Sequence, residues 1–110
     1  MEINLINDCK IITPLSPKLT DWETDRLREE FTNDYAERTA LDMSYVQDCT
    51  IDFIDEIKQH SGMSLFNINS DILAILISMN LDKTLKLFVS EMDFLNDKHQ
   101  LLNRKFSLVL

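Results

Sequence analysis

The most informative part of this chain is the stretch Ala40-Leu-Asp-Met-Ser-Tyr-Val-Gln-Asp-Cys-Thr50, continued by Ile51-Asp52-Phe53-Ile54-Asp55. Leu41 and Met43 alternate with polar residues, and a period of two indicates a β-strand. Isoleucines then recur at helical spacing, at positions 51, 54 and 57. A strand, a turn and the start of a helix are therefore predicted within this one stretch.

The start of this helix is the first candidate functional site. Asp48 is predicted to be its N-cap, because an aspartate oxygen can accept hydrogen bonds from N–H groups of the first turn. Cys49 and Thr50 are then expected near the positive end of the helix dipole, which favours negative charge. A hydroxyl in this position suits phosphorylation, whereas a threonine that only caps a helix needs no partner.

The same stretch resembles the core motif of STAS domains, the family of anti-sigma factor antagonists and sulfate-transporter tails. In that family an apolar strand that ends in Asp and a small polar residue leads through a valine to Asp-Ser-Ser-Gly or Asp-Ser-Thr-Gly. The corresponding residues here are Leu41-Asp42-Met43-Ser44, then Val46, then Asp48-Cys49-Thr50-Ile51.

A second stretch is similar to the segment before the last strand of the same family. Its residues are Asn67-Ile68-Asn69-Ser70-Asp71, then Leu76, then Asn80-Leu81-Asp82-Lys83. The two motifs follow in the family's order, and the resemblance extends from Ile3 to Phe94. It implies a regulatory domain that acts by partner switching: it binds a kinase-type anti-sigma factor, and phosphorylation ends the contact.

The resemblance also implies which residues form the contact. Thr50 has the position of the family's phosphoacceptor, and Ser16 to Lys18 and Asn67 to Asn69 would lie beside the contact. The candidate partner-binding residues of this chain are Val46, Asp48, Cys49, Thr50, Ile51, Asp52 and Phe53. Phe53 is a partner contact or a core residue, and core packing is favoured.

One departure from the family favours an alternative function. The two glycines that follow the family's phosphoacceptor are Ile51 and Asp52 here, which add bulk and like charge where a kinase must approach. The alternative is a phospho-independent structural or accessory subunit of a transport or scaffold complex.

Length and composition limit the remaining function classes. A chain of 110 residues is expected to be one domain, and its net charge of −8 argues against a nucleic-acid surface. The longest apolar run, Ile72 to Ile77, is too short to span a membrane. The start of the chain lacks the basic region of a signal peptide, so a cytoplasmic location is expected, with Cys9 and Cys49 reduced.

The order of patterns along the chain predicts an α/β fold. A hairpin from Ile3 to Thr13 turns at Asn7 and Asp8, and Thr20 and Glu23 form a capping box for a helix that ends near Asn33. Strands and helices then alternate: strands at Thr39–Ser44, Ser64–Ile68 and Leu85–Val89, helices at about 50–60 and 71–79. This order predicts a STAS-like single domain around a mixed, largely parallel central sheet.

Several local features refine this prediction. Trp22, Leu27 and Phe31 are expected on the apolar side of the first helix, and Gly62 is expected to have positive φ after the second. Ser70 is the predicted N-cap of the third helix, which is apolar nearly all round and should be well buried.

The C-terminal segment, residues 92–110, is less regular than the core at about 3–94. Met92, Leu95, His99 and Leu102 have the spacing of a final helix. The apolar end Phe106-Ser-Leu-Val-Leu110 packs on the domain or forms a homodimer contact, and packing is favoured.

The sequence predicts neither enzymatic activity nor a cofactor. A reactive Cys49 would need a nearby base, and the only histidines are His60, at the far end of the same helix, and His99. Asp52, Asp55 and Glu56 form either a metal cluster or a solvated acidic face, and the solvated face is favoured. The single glycine cannot build a nucleotide-binding loop.

Overall fold

A computed structural model describes residues 1–32, 38–60 and 62–96 of the chain. The strands are β1 (Glu2–Ile6), β2 (Cys9–Thr13), β3 (Lys18–Leu19), β4 (Arg38–Asp42), β5 (Asp48–Cys49), β6 (Ser64–Phe66) and β7 (Lys86–Leu87). The helices are α1 (Asp21–Thr32), α2 (Ile51–Lys58), α3 (Ser70–Ser78) and α4 (Glu91–Leu95), with a 3₁₀ turn at Leu81–Lys83 before β7.

Five of the strands form one sheet in the order β1-β2-β4-β6-β7. β1 and β2 are antiparallel and are joined by Asn7 and Asp8, whose φ angles of 51° and 63° are the positive values that these residue types tolerate. The pairs β2–β4, β4–β6 and β6–β7 are all parallel. The predicted hairpin and the mixed, largely parallel α/β sheet are confirmed.

Alternating side chains divide the core between the two faces of this sheet. On one face, strand residues such as Ile12, Leu41 and Leu65 pack against α1, α2 and α3 and form the larger cluster. The opposite face carries a smaller cluster, to which α4 contributes Phe94. The buried residues of the smaller cluster are Cys9, Ile11, Ala40, Phe66, Phe88 and Phe94.

Lys10 is a charged residue on the sheet face that carries the larger cluster, and its side chain has no exposed surface. Its Nζ donates a hydrogen bond of 2.8 Å to the carbonyl oxygen of Glu30 and lies 3.0 Å from the carboxylate of the same residue. Burial of a charged lysine costs free energy unless the charge is paired, and Glu30 provides the pairing here. The contact therefore holds the last part of α1 against β2.

The predicted elements are present, with their ends shifted for identifiable reasons. β4 stops before Ser44, because the N–H of Ser44 bonds to the carboxylate of Asp42 instead of to a strand. β6 stops before Ile68, since Asn67 has a positive φ of 56°. Gly62, after α2, has the predicted positive φ, at 84°.

The start of α1 shows one half of the predicted capping box, in which the N–H of Thr20 donates to the carboxylate of Glu23. The hydroxyl of Thr20 bonds to the same carboxylate and not, as predicted, to a backbone N–H of the first turn. Leu27 is buried as expected, and Phe31 is partly buried. The prediction for Trp22 is wrong, because 66% of its surface is exposed. Thr24 and Leu27 define the inward side of the helix, and Trp22 lies on a different side of the first turn.

Two predictions about α3 are wrong. Its N-cap is Asn69, whose side chain accepts the N–H of Ile72, so Ser70 is already the first helical residue. The helix is also not buried all round, because Ile75 and Met79 are exposed. α3 packs on the sheet with one side only, through Ile72, Leu73 and Leu76.

The first part of the predicted final helix is present as α4, in which Met92 is exposed and Leu95 is partly buried. His99, Leu102 and the segment Phe106–Leu110 lie outside the described residues, and so does the choice between packing and a dimer contact. None of the helices in the described ranges combines the length and the apolar character that crossing a bilayer requires.

Candidate partner-binding surface

The candidate residues lie where the parallel strands end. β2, β4 and β6 run in the same direction, so the segments that follow Thr13, Asp42 and Phe66 emerge at one edge of the sheet. Ligands of open α/β sheets bind outside the carboxyl ends of the strands. The segment from Met43 to Thr50, between β4 and α2, is named the switch loop below.

Hydrogen bonds from two other segments hold the switch loop in place. The carbonyl oxygen of Pro17 accepts the N–H groups of Gln47 and Asp48 at 2.7 and 3.0 Å. The N–H of Thr50 donates to the carbonyl oxygen of Leu19 at 3.1 Å. These bonds belong to a small parallel ribbon of β3 and β5, which the sequence did not predict because strands of two residues show no periodicity.

The two motifs that resemble the STAS family meet at the same edge. The carboxylate of Asp42 accepts hydrogen bonds from the N–H of Ser44 and from the side-chain amide of Asn67. The amide of Asn69 donates to the carbonyl oxygens of Val46 and Gln47 at 3.1 and 3.0 Å. Asn67 and Asn69 were expected beside the contact surface, but their role in holding the switch loop was not predicted.

Thr50, and not Asp48, is the N-cap of α2. The backbone of Thr50 is extended, and its Oγ1 accepts the N–H of Phe53 at 3.4 Å. Asp48 lies in β5, where its carboxylate accepts the N–H of Cys49 at 2.8 Å. The prediction placed the cap two residues early because Asp and Thr are both good caps and the ribbon was not anticipated.

The candidate residues differ in what a partner could touch. Val46 and Phe53 are buried and belong to the larger core cluster, so they support the surface from beneath. Ile51 shares the helical spacing of Ile54 and Ile57, and 76% of its surface is exposed, so a partner could contact it. Asp48 and Asp52 are also exposed, while Cys49 and Thr50 are half-buried.

Cys49 has the opposite chemistry to the one expected at a helix start. Burial, followed by the charge of Asp48, raises the pKa of the Cys49 thiol to about 11. The thiol lies before the N-cap, outside the first turn of α2, so the helix dipole does not offset these effects. His60 lies at the other end of α2, with its Nε2 2.8 Å from the carboxylate of Glu56.

Carboxylates surround the start of α2. The carboxyl groups of Asp21 and Asp52 lie within hydrogen-bonding distance, and this contact, followed by their mutual repulsion, raises the pKa of Asp21. A groove of about 160 Å³ continues from this pair between α1 and α2. Its charged lining residues are Asp21, Asp25, Arg28, Asp52, Asp55 and Glu56.

The sequence suggested that Glu56 belongs to a solvated acidic face, and this prediction is wrong. The side chain of Glu56 is 6% exposed, and its Oε1 accepts a hydrogen bond of 2.6 Å from Nε of Arg28 in α1. His60 bonds to the other carboxylate oxygen. In the ranges that the structure describes, no group of His, Cys, Asp and Glu side chains has a geometry that could hold a metal ion.

Comparison with known proteins finds similarity in structure only. No protein-family model matches the chain, and no curated protein matches it significantly in sequence. A crystal structure from Thermotoga maritima, described as a candidate anti-sigma factor antagonist, has a TM-score of 0.74 and 17% identity over 87% of this chain and 92% of that one. A solution structure of the same protein has a TM-score of 0.60 and 17% identity, over 86% and 84% of the two chains.

A serine-to-glutamate variant of RsbS from Moorella thermoacetica matches over 94% of this chain and 97% of that one, with a TM-score of 0.62 and 18% identity. At these identities the similarity shows the fold. The chain therefore has a STAS-like α/β fold, as the resemblance of its two motifs predicted.

Proposed function

We propose that this chain is a regulatory protein-interaction domain that binds a kinase-type anti-sigma factor in the bacterial cytoplasm, and that Thr50 is its phosphorylation site. The observation that carries the proposal is the position of Thr50. It caps α2 at the carboxyl edge of a STAS-like sheet, next to the exposed Ile51.

The structural neighbours support the regulatory role. One of them is described as a candidate anti-sigma factor antagonist, and the fold is the same over most of both chains. The chemistry of the edge also favours binding over catalysis. The pKa of the Cys49 thiol is raised to about 11, so the thiol stays protonated at neutral pH, and a protonated thiol is a poor nucleophile.

Phosphorylation of Thr50 would act on the contact through charge. In the transfer from ATP, Oγ1 of Thr50 forms a bond to the γ-phosphorus, the bond to the β-phosphate breaks, and the hydroxyl proton is released. The product places about two negative charges between Asp48 and Asp52. A partner surface that fits a hydroxyl then loses affinity, because the added charge must be desolvated when the partner covers it.

The carboxylates near Thr50 also favour a second candidate, a phospho-independent subunit of a transport or scaffold complex. Asp21 and Asp52 already repel each other beside Thr50, as the raised pKa of Asp21 indicates. A phosphate would add to this repulsion, and the hydroxyl of Thr50 already accepts a backbone N–H as a cap. In this candidate the surface binds a protein partner permanently.

Titration calorimetry on the partner recovered by affinity capture separates the two candidates. For the switch, Thr50→Asp should weaken binding, while Thr50→Ala should bind almost normally but should no longer be released by a serine kinase and ATP. Thr84→Asp is the matched control, because Thr84 is an exposed threonine that precedes β7, at the opposite edge of the sheet. Equal affinity of the wild type and both Thr50 variants would support the permanent subunit.

Thermal melts must accompany these titrations, because Thr50 is also a cap. Asp is as good an N-cap as Thr, whereas Ala loses the cap and should destabilise the fold by about 1 kcal/mol. A Thr50→Asp variant that loses affinity with an unchanged melting temperature therefore reports on the contact and not on folding.

A further inference from the structure

A small pocket with an exposed tryptophan lies near the start of α1. It has a volume of about 100 Å³, and Met1, Pro14, Leu15, Trp22 and Arg26 are among its lining residues. Trp22 is the single tryptophan of the chain, and 66% of its surface is exposed. We call this site the tryptophan pocket.

Three of these side chains are large, apolar and exposed together: Met1, Leu15 and Trp22. Single exposed apolar residues are common on protein surfaces, but a group of them around a concavity is typical of a binding site. Tryptophan and arginine are also the residue types most enriched among the side chains that dominate binding energies at protein interfaces.

The charged residues that line the pocket are Arg26 and Glu23. The guanidinium carbon of Arg26 lies 5.7 Å from the centre of the Trp22 ring. Within the described part of the chain no carboxylate lies at ion-pair distance from Arg26, although the net charge is −8. The carboxylate of the neighbouring Glu23 is already bound to the capping residue Thr20. The donors of Arg26 are therefore open to a carboxylate from another molecule.

A short chain segment joins the tryptophan pocket to the switch loop. Pro14 and Leu15 begin the segment that ends in Pro17, and the carbonyl oxygen of Pro17 holds Gln47 and Asp48 by the two hydrogen bonds described above. A protein that covers Thr50 and extends along this segment reaches the pocket.

We propose that the tryptophan pocket binds two neighbouring groups of the partner protein, an apolar side chain and a carboxylate. The apolar side chain would pack on Trp22 and Leu15, and the carboxylate would bind to Arg26. This inference rests on the proposed function for the identity of the partner. The pocket would be a second anchor, which distinguishes between partners whose surfaces fit Thr50 equally well.

Trp22 reports on its own pocket by fluorescence, so the first test needs no partner. The probes are three tetrapeptides, acetylated and amidated at their ends: Gly-Leu-Asp-Gly, Gly-Leu-Asn-Gly and Gly-Gly-Asp-Gly. The Leu-Asp peptide should shift the emission of Trp22 to shorter wavelength and reduce its quenching by acrylamide, with a dissociation constant of about 1–10 mM. The other two peptides should bind about tenfold more weakly, since each lacks one of the two contacts.

Variants of Arg26 test the charge in the same assay. Arg26→Gln should bind the Leu-Asp and Leu-Asn peptides equally, and Arg26→Lys should restore part of the preference. No response to the Leu-Asp peptide at about 10 mM would overturn the proposal. An equal response of the wild type to both leucine peptides, or a response only to vesicles of anionic lipid, would overturn it as well.

The second test uses the captured partner and calorimetry. Trp22→Ala should lower the affinity about tenfold or more, and Trp22→Phe should recover part of the loss. Leu5→Ala, at an exposed apolar residue on the edge strand β1, is the matched control and should leave the affinity unchanged. Full affinity of Trp22→Ala would refute the second anchor, even if Thr50 proved to be the switch. If no anti-sigma factor is captured, the peptide titration still tests whether the pocket binds an apolar side chain and a carboxylate.

Discussion

The position of a single cap decides the chemistry of Cys49. With Asp48 as the N-cap, Cys49 would be the first residue of the helix, where the dipole lowers the pKa of a thiol. With Thr50 as the N-cap, Cys49 belongs to a strand that lies half-buried beside a carboxylate. A cap two residues later therefore leaves Cys49 outside the helix, as a thiol that stays protonated at neutral pH.

We predict that Cys49 is alkylated slowly at neutral pH, in a Cys9→Ser background that leaves it as the only thiol. Its rate of reaction with iodoacetamide should rise with pH up to about 11, where the pKa of the thiol lies. Asp48→Asn should shift this profile to lower pH, because it removes one cause of the raised pKa. A rate that levels off below pH 8.5 would contradict the prediction.

At Glu56, the structure predicts a measurable effect on stability. Burial alone would raise the pKa of Glu56, but hydrogen bonds from His60 and Arg28, together with their charges, lower it. Glu56→Gln should reduce the free energy of unfolding at pH 7 by about 1–2 kcal/mol, because it weakens two charge-assisted hydrogen bonds. Urea denaturation measures this loss, and Glu29→Gln, at an exposed residue of α1, is the control that should change little.

The lowered pKa of Glu56 also determines how this stability depends on pH. A carboxyl group whose pKa is lower in the folded state stabilises the fold above its unfolded pKa, about 4.3 for glutamate, and loses this effect as pH falls through the folded value. The difference in stability between the wild type and Glu56→Gln should therefore shrink as the pH is lowered below about 4.3. A difference that stays constant from pH 7 to pH 3 would argue against a charged Glu56 in the folded protein.

At the scale of elements, Asn69 couples α3 to the switch loop. Its Oδ1 caps α3 by accepting the N–H of Ile72, and its amide holds the carbonyl oxygens of Val46 and Gln47. Asn69→Ala loses both contacts and should destabilise the protein by about 2 kcal/mol. Asn69→Asp keeps the cap but loses the donors, so the two functions of the side chain can be separated.

Hydrogen exchange read by NMR distinguishes these variants. In Asn69→Asp the amide of Ile72 should stay protected, while the amides of Gln47 and Asp48 should exchange faster than in the wild type. In Asn69→Ala all three should exchange faster. Unchanged protection at Gln47 and Asp48 in Asn69→Asp would mean that the bonds from Pro17 hold the switch loop without help from Asn69.

At the scale of the whole molecule, periodicity and turn residues predicted most of the sheet. The hairpin at Asn7 and Asp8, the parallel strands and the helices between them follow from patterns that are local in the sequence. The N-caps of α2 and α3 were each placed wrongly, because Asp48 and Ser70 are as suitable by residue type as the residues that cap the helices.

The features that sequence reasoning missed are non-local. The contact of Glu56 with Arg28 joins residues 28 positions apart, and the β3–β5 ribbon pairs strands of two residues. No single segment carries a signal for either. The exposure of Trp22 was missed for a related reason: an apolar residue type predicts burial, and only the packing of its helix shows which side faces solvent.

Among the described residues, the sheet face that carries α4 has the smaller core cluster, and this difference affects how the molecule moves. α4 has five residues, too few to form a stable helix alone, so it depends on contacts of Phe94. The Phe94 ring lies 5.8 Å from that of Phe66 and 5.4 Å from that of Phe88, and the guanidinium of Arg38 bonds to the carbonyl oxygens of Phe94 and Leu95.

Such an element should open by itself while the other face of the sheet stays closed. We predict that the amides of Phe94 and Asn96 exchange with a lower free energy of opening than the amides of β4 and β6. Arg38→Ala should reduce this free energy more at the two α4 amides than at the strand amides. Exchange of α4 and the strands at one common rate would instead mean that the molecule opens only as a whole. With a separate opening, the aromatic rings beneath α4 become transiently accessible to solvent in a protein that is otherwise folded.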